Sequence, residues 1–145
     1  MRTIMIKNII SIVTVISFLM LTGCETVQNT IDRIETSELT GKFDETFISY
    51  SKHLRWGHFR ELTTFMTAEQ RAPTLAKAES LKGRKISHVT PSAWVLDEEG
   101  GVMVGDILID YYIIDRGVIR SATQTQTWRY KDERWQLDSG LPDLP

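Results

Sequence analysis

Apolar residues in this chain repeat with a helical period in the first half and a strand period in the second, and the change falls at one place. Phe43, Phe47, Tyr50 and Leu54 recur at i, i+4, i+7 and i+11, which lays a single stripe down a helix. Gly57 predicts a bend, because glycine is costly inside a helix. Phe59, Leu62, Phe65 and Met66 form a second stripe on a shorter helix. Thr67 and Gln70 are spaced as a capping box, with Thr67 as N-cap of a third helix that carries Pro73 near its start. Gly83 closes the helical region. From Arg84 onward the pattern predicts strands over 86–96, 102–114, 118–130 and 135–137, with Pro91 implying an edge position or a bulge. Helices first and an antiparallel meander second give an α+β domain, its helices packed on one face of a sheet of about four strands.

The long second strand carries the sharpest polar feature. Met103, Ile107, Ile109, Tyr111 and Ile113 share one face, and Asp106 and Asp110 fall on the other with Val104, Leu108 and Tyr112. A tight turn at Arg116-Gly117 would bring Asp110 beside Ala122 or Thr123, with Arg120 and Gln124 as diagonal neighbours. Such a face is most economically a solvated one, since alternating polar residues are what exposure requires.

The first residues have a different character. Arg2 and Lys7 precede a 13-residue apolar run over 9–21, the length of a signal-peptide core. The uncharged stretch over 8–24 has 17 residues, short for a bilayer span. Leu21-Thr22-Gly23-Cys24 follows at once and resembles the bacterial lipobox. The resemblance implies cleavage between Gly23 and Cys24, a diacylglyceryl group on the Cys24 thiol and acylation of the new amine. Two or more acyl chains anchor a protein stably, whereas one does so only marginally. Glu25 stands where an aspartate would favour the inner membrane, so the resemblance implies the periplasmic face of the outer membrane in a Gram-negative source. Residues 24–41 are polar and read as a tether of at most two helical turns. The expected organisation is a signal peptide over 1–23, the lipidated tether over 24–41, the α+β domain over 42–140 and a tail over 141–145.

Gln124-Thr-Gln-Thr-Trp128-Arg-Tyr130, a charged turn, and Arg134-Trp135-Gln-Leu137 resemble the closing hairpin of the nuclear transport factor 2-like, cystatin-like α+β roll, a fold shared with polyketide-cyclase-like domains. The resemblance implies a curved sheet able to close over a cone-shaped pocket, in which a buried aspartate would serve as general base. Asp106 or Asp110 would fill that role, with Tyr111 or Tyr112 nearby. The fold also hosts carriers and assembly subunits, so membership assigns no function.

Other chemistries find little support. His53 and His58 are five apart and Gly57 intervenes, and with His88 they show no metal-binding spacing, so they read as surface or cap residues and no metal is expected. No nucleophile elbow and no helix-opening glycine-rich phosphate loop occurs, and no cofactor is expected. The tryptophans read as core and hairpin packing, with Trp128 and Trp135 flanking one turn. A lone cysteine excludes an intramolecular disulfide. Beyond residue 23 the chain carries 15 basic against 19 acidic residues, the wrong balance for nucleic acid. The leading expectation is therefore a non-catalytic envelope lipoprotein, held to membrane lipid through acylated Cys24, whose domain binds another envelope protein or a small apolar ligand. A pocket enzyme and a homodimer joined through the open sheet face are the competing readings.

Overall fold

The computed structural model describes residues 23–97, 99 and 101–145. Helix α1 (Gly23–Trp56) is followed by α2 (Phe59–Leu62), a 3₁₀ turn (Thr63–Phe65) and α3 (Ala68–Ser80). Strands β1 (Arg84–Leu96), β2 (Val102–Ile113), β3 (Val118–Lys131) and β4 (Arg134–Leu137) complete the chain, with a second 3₁₀ turn (Ile114–Arg116) before β3. The expected leader lies outside the described residues apart from Gly23, as do Glu98 and Gly100 of the turn after β1. Among the described residues no helix is long and apolar enough to cross a membrane. Leu39–Pro145 forms one compact unit, and the residues before Leu39 belong to another.

Helix α1 runs for 34 residues, so the stretch over 24–41 is helical throughout and not a spacer with one or two turns. Nothing in it stops a helix: it contains no proline, and Gly41 is its only interior glycine. Extending a formed helix adds one hydrogen bond per residue fixed, whereas starting one is costly. Gly57, at φ +69°, ends it as expected. Thr67 does occupy the N-cap of α3, but no capping box forms. Its hydroxyl donates to Asp138 Oδ1 at 3.2 Å, and the Thr67 N–H donates to the Leu137 carbonyl at 3.0 Å. Competition from the end of β4 thus replaces the local cap.

The sheet is an antiparallel meander in the order β1-β2-β3-β4. Strand β1 is an edge, and its register shifts between Pro91 and Trp94, so both consequences expected of Pro91 occur. Alternation in β2 buries Met103, Ile107, Ile109 and Tyr111 under the helices. Phe43, Phe47, Tyr50 and Leu54 of α1 descend onto them, all buried. The Phe43 ring meets Trp94, Trp128 and Trp135 edge-on at centroid distances of 4.9, 5.8 and 5.4 Å. Trp128 and Trp135 do not pair with each other across the hairpin. Trp135 stands opposite Tyr130, and Trp128 opposite Leu137.

Two features escaped the sequence reading. Gln124 and Gln126 of β3 point inward in phase with Trp128, and Gln126 is wholly buried. Its amide donates to the Tyr50 hydroxyl at 3.1 Å, and its carbonyl oxygen accepts from Trp128 Nε1 at 3.1 Å. Burial raises the Tyr50 pKa, and the bond from Gln126 only partly opposes that rise. The stretch over 141–145 also contributes to the interior. Leu141 and Leu144 lie in the core, Gln124 Nε2 donates to the Gly140 carbonyl at 3.2 Å, and the Tyr111 hydroxyl donates to the Pro145 carbonyl at 2.7 Å.

The β3–β4 hairpin turns through Asp132 and Glu133, at φ +52° and +60°. A two-residue turn of this hand matches the twist of the strands but suits Asn-Gly, since side chains disfavour positive φ. Glu133→Gly is therefore expected to stabilise the domain by about 0.5–1 kcal/mol, after allowing for the extra freedom glycine gives the unfolded chain. A thermal melt checks this, and the midpoint should rise by about 2–5 °C.

Candidate binding cleft

The positions just beside the core stripe of α1 form a second row. Asp44, Phe47, Ile48, Ser51, Lys52 and Arg55 follow one another at i, i+3, i+4, i+7, i+8 and i+11, and all of them face the bulged edge strand β1. Val89, Pro91 and Trp94 supply the opposite wall, and the space between has a volume of about 600 Å³. Pro91 matters to its shape, because the bulge that follows it bends the edge. Trp94 stays in place because its register partner is Gly105, where a Cβ would overlap the indole ring.

The cleft is apolar along its middle, where Phe47, Ile48, Val89, Pro91 and Trp94 lie. Ile48 is 68% exposed, unusual for an isoleucine on a packed helix. Ser51 Oγ is buried yet has no hydrogen-bond partner, an expensive arrangement unless something else meets it. Lys52 and Arg55 lie one turn further along α1 and place positive charge towards its C-terminal end. An apolar body, a single unmet hydroxyl and two cations at one end, with Asp44 two turns away at the other, suit binding of an amphipathic molecule. They do not form a nucleophile–base pair.

The residues singled out in the sequence lie elsewhere. Asp106 and Asp110 are on the outer face of the sheet, away from the core, where Asp106 accepts from Thr125 Oγ1 and Asp110 from Ser121 Oγ, each at 2.6 Å. Asp106 is exposed and Asp110 half-buried, so the expected pocket aspartate is not found. The physical reason is the plain alternation of β2, which sends Ile107 and Ile109 inward and both carboxylates outward. Tyr112 is exposed on the same outer face, while Tyr111 points into the core. The β2–β3 loop is longer than the two residues expected. Ile113 pairs with Val118 across the 3₁₀ turn and Gly117, so Asp110 faces Ser121 and not Ala122 or Thr123. Arg120 and Gln124 pair with the inward Tyr111 and Ile107 and are not its diagonal neighbours.

His53 and His58 approach each other with ring centroids 5.6 Å apart, and His88 pairs in register with Asp110. Among the described residues no three or more His, Cys, Asp or Glu side chains are grouped to hold a metal. The sequence signal that could have found the cleft is the second row on α1, in which Ile48 interrupts a polar face next to the core stripe.

No protein-family model and no curated protein sequence matches the chain. Solved structures do resemble it. An NTF2-like protein with a cystatin-like fold from Novosphingobium aromaticivorans superposes with a TM-score of 0.56 at 15% identity, covering 85% of this chain and 94% of that one. A putative polyketide cyclase from Xanthomonas campestris aligns with a TM-score of 0.46 at 10% identity, covering 77% of this chain and 93% of that one. The first of these likenesses, together with three helices on a four-stranded antiparallel sheet, establishes the cystatin-like, NTF2-like fold.

Proposed function

We propose that the chain is an envelope lipoprotein, anchored through acylated Cys24, whose cystatin-like domain is a non-catalytic module that binds an amphipathic small molecule in the α1/β1 cleft. The observation that carries the binding half is the buried, unpartnered Ser51 hydroxyl set among Phe47, Ile48, Val89 and Trp94. Apolar walls of this kind stabilise a ligand in proportion to the area they cover, and the polar groups fix its orientation. Lys52 and Arg55 favour a ligand whose head is anionic. The anchoring half rests on the order of residues 1–24, where a basic start, an apolar run and Leu-Thr-Gly-Cys succeed one another. An outer-membrane address at its periplasmic face follows from Glu25 if the source has two membranes.

The probe that tests the cleft is 1-anilinonaphthalene-8-sulfonate, an apolar ring system with one sulfonate. Full chain in neutral maltoside micelles should enhance its fluorescence above a matched micelle blank. Ile48→Glu, at a position exposed enough to spare the fold, should weaken binding by about tenfold, because a carboxylate then stands in the apolar wall. Equal enhancement by both proteins would remove the cleft from the proposal. Mass spectrometry of the native polypeptide tests the anchor separately, and an unmodified Cys24 with the leader still attached would refute it.

A further inference from the structure

A second concavity, of about 400 Å³, lies on the opposite side of the sheet from the core, where the β3–β4 hairpin meets the start of α3. Register explains its chemistry. Lys131 stands directly opposite Arg134, and Arg129 directly opposite Gln136, so these four side chains share one face of the hairpin and all line the concavity. Arg129 is neutralised, since its Nε donates to Asp138 Oδ2 at 2.7 Å. Lys131 and Arg134 are not: among the described residues neither forms an ion pair. Like charges directly opposite each other on adjacent strands destabilise a sheet.

Arg71 approaches the same space from α3 and is likewise without an ion pair. The first turn of that helix also opens there through Thr67, Ala68 and Glu69, and the Thr67 side chain caps no helix N–H. A helix start carries partial positive charge, which favours an anion. Independent of both is Gln136. It is only 7% exposed and lines the concavity, yet neither end of its carboxamide hydrogen-bonds another protein group. Its polar atoms are not sealed from solvent, so they open into the concavity, where a bound species can take the place of water. Glu69 and Asp132 also line the space, so the three unpaired cations are partly balanced by two carboxylates.

The geometry points to an anion site at this hairpin, one that takes a phosphate group between Lys131, Arg134 and Arg71 with the Gln136 amide as a donor. A phosphate offers several acceptor oxygens and relieves the cross-strand repulsion of Lys131 and Arg134, which Glu69 and Asp132 offset only in part. The site is separate from the α1/β1 cleft and does not depend on what that cleft binds. A free phosphate ester and the phosphodiester of a lipid headgroup share this chemistry.

Thermal melts of the full chain in neutral maltoside micelles distinguish the sources. Inorganic phosphate at 10 mM should raise the midpoint by about 3–5 °C over sodium chloride of equal ionic strength if a small phosphate suffices. If a headgroup is required, inorganic phosphate should do nothing, and micelles doped with phosphatidylglycerol should give the rise that phosphatidylcholine does not. In either case Arg134→Gln and Arg71→Gln, on different elements, should abolish the response, and Lys85→Gln on the far edge should keep it. Arg134→Gln should also melt no lower than the parent in chloride, because it removes the repulsion. The assignment is overturned if neither phosphate source stabilises the chain, if the response survives both arginine substitutions, or if Arg134→Gln melts lower in chloride.

Discussion

Gln126→Met should cost about 2–5 kcal/mol, a large share of the roughly 5–15 kcal/mol that holds a domain of this size together. Methionine keeps the length and volume of glutamine, so little of the loss would come from packing. What disappears is the amide that donates to the Tyr50 hydroxyl and the oxygen that accepts from Trp128 Nε1, both in a fully buried setting. Each orphaned group then bears the cost of desolvation without a partner. Urea unfolding measures this as a lower midpoint at unchanged slope. Adding Tyr50→Phe to Gln126→Met should return part of the loss, because one of the two orphans is gone, and simple additivity of the two changes would refute the coupling. Alkali gives a second signature. Tyr50 holds its proton more tightly folded than unfolded, where the ordinary value is 10.0. Its contribution is therefore intact below pH 10 and is lost as pH rises beyond it, by up to about 1.4 kcal/mol per pH unit. Tyr50→Phe should flatten that decline by one proton's worth.

Gly105→Ala should destabilise the domain by about 1–3 kcal/mol, although it adds a single methyl group and leaves β-strand propensity unharmed or improved. The new carbon would overlap the six-membered ring of Trp94, whose indole is wedged between β2 and the rings of Phe43 and Phe47. Trp94 cannot retreat inward, because Phe43 and Phe47 fill that space, so it would swing towards the α1/β1 cleft and occupy it. Stability and binding should thus fall together. A melt and a naphthalene-sulfonate titration of the same sample check the pair of outcomes, and a variant that melts like its parent would show that Trp94 has room to move.

Much of the fold could be read from residue order because each element advertises its own period. The stripe from Phe43 to Leu54 and the alternation from Met103 to Tyr111 both bury what they were expected to bury. Other features depend on groups that meet only after folding. Thr67 has the spacing of a capping residue, but Asp138, 71 positions away, takes its hydroxyl. The length of the β2–β3 loop shifted the partner of Asp110, since a 3₁₀ turn and the one-to-one ladder both satisfy the same local residues. Glutamine spaced in phase with tryptophan in Gln124-Thr-Gln-Thr-Trp128 was legible in principle. Polar residues inside are so rare that the period alone argues for threonines inward as well as for glutamines. The cleft was least visible, because its two walls belong to segments separated by more than a helix and a turn, and its defining group is a serine that has no partner.

The core joins Phe43 near one end of the compact unit to Leu141 and Leu144 near the other, and no shorter stretch contains it. A nascent chain cannot seal that interior until almost the whole unit has been synthesised, since each early segment would present greasy surface with nothing to close on. For the proposed envelope lipoprotein, late closure would leave the chain extended while it is threaded across a membrane.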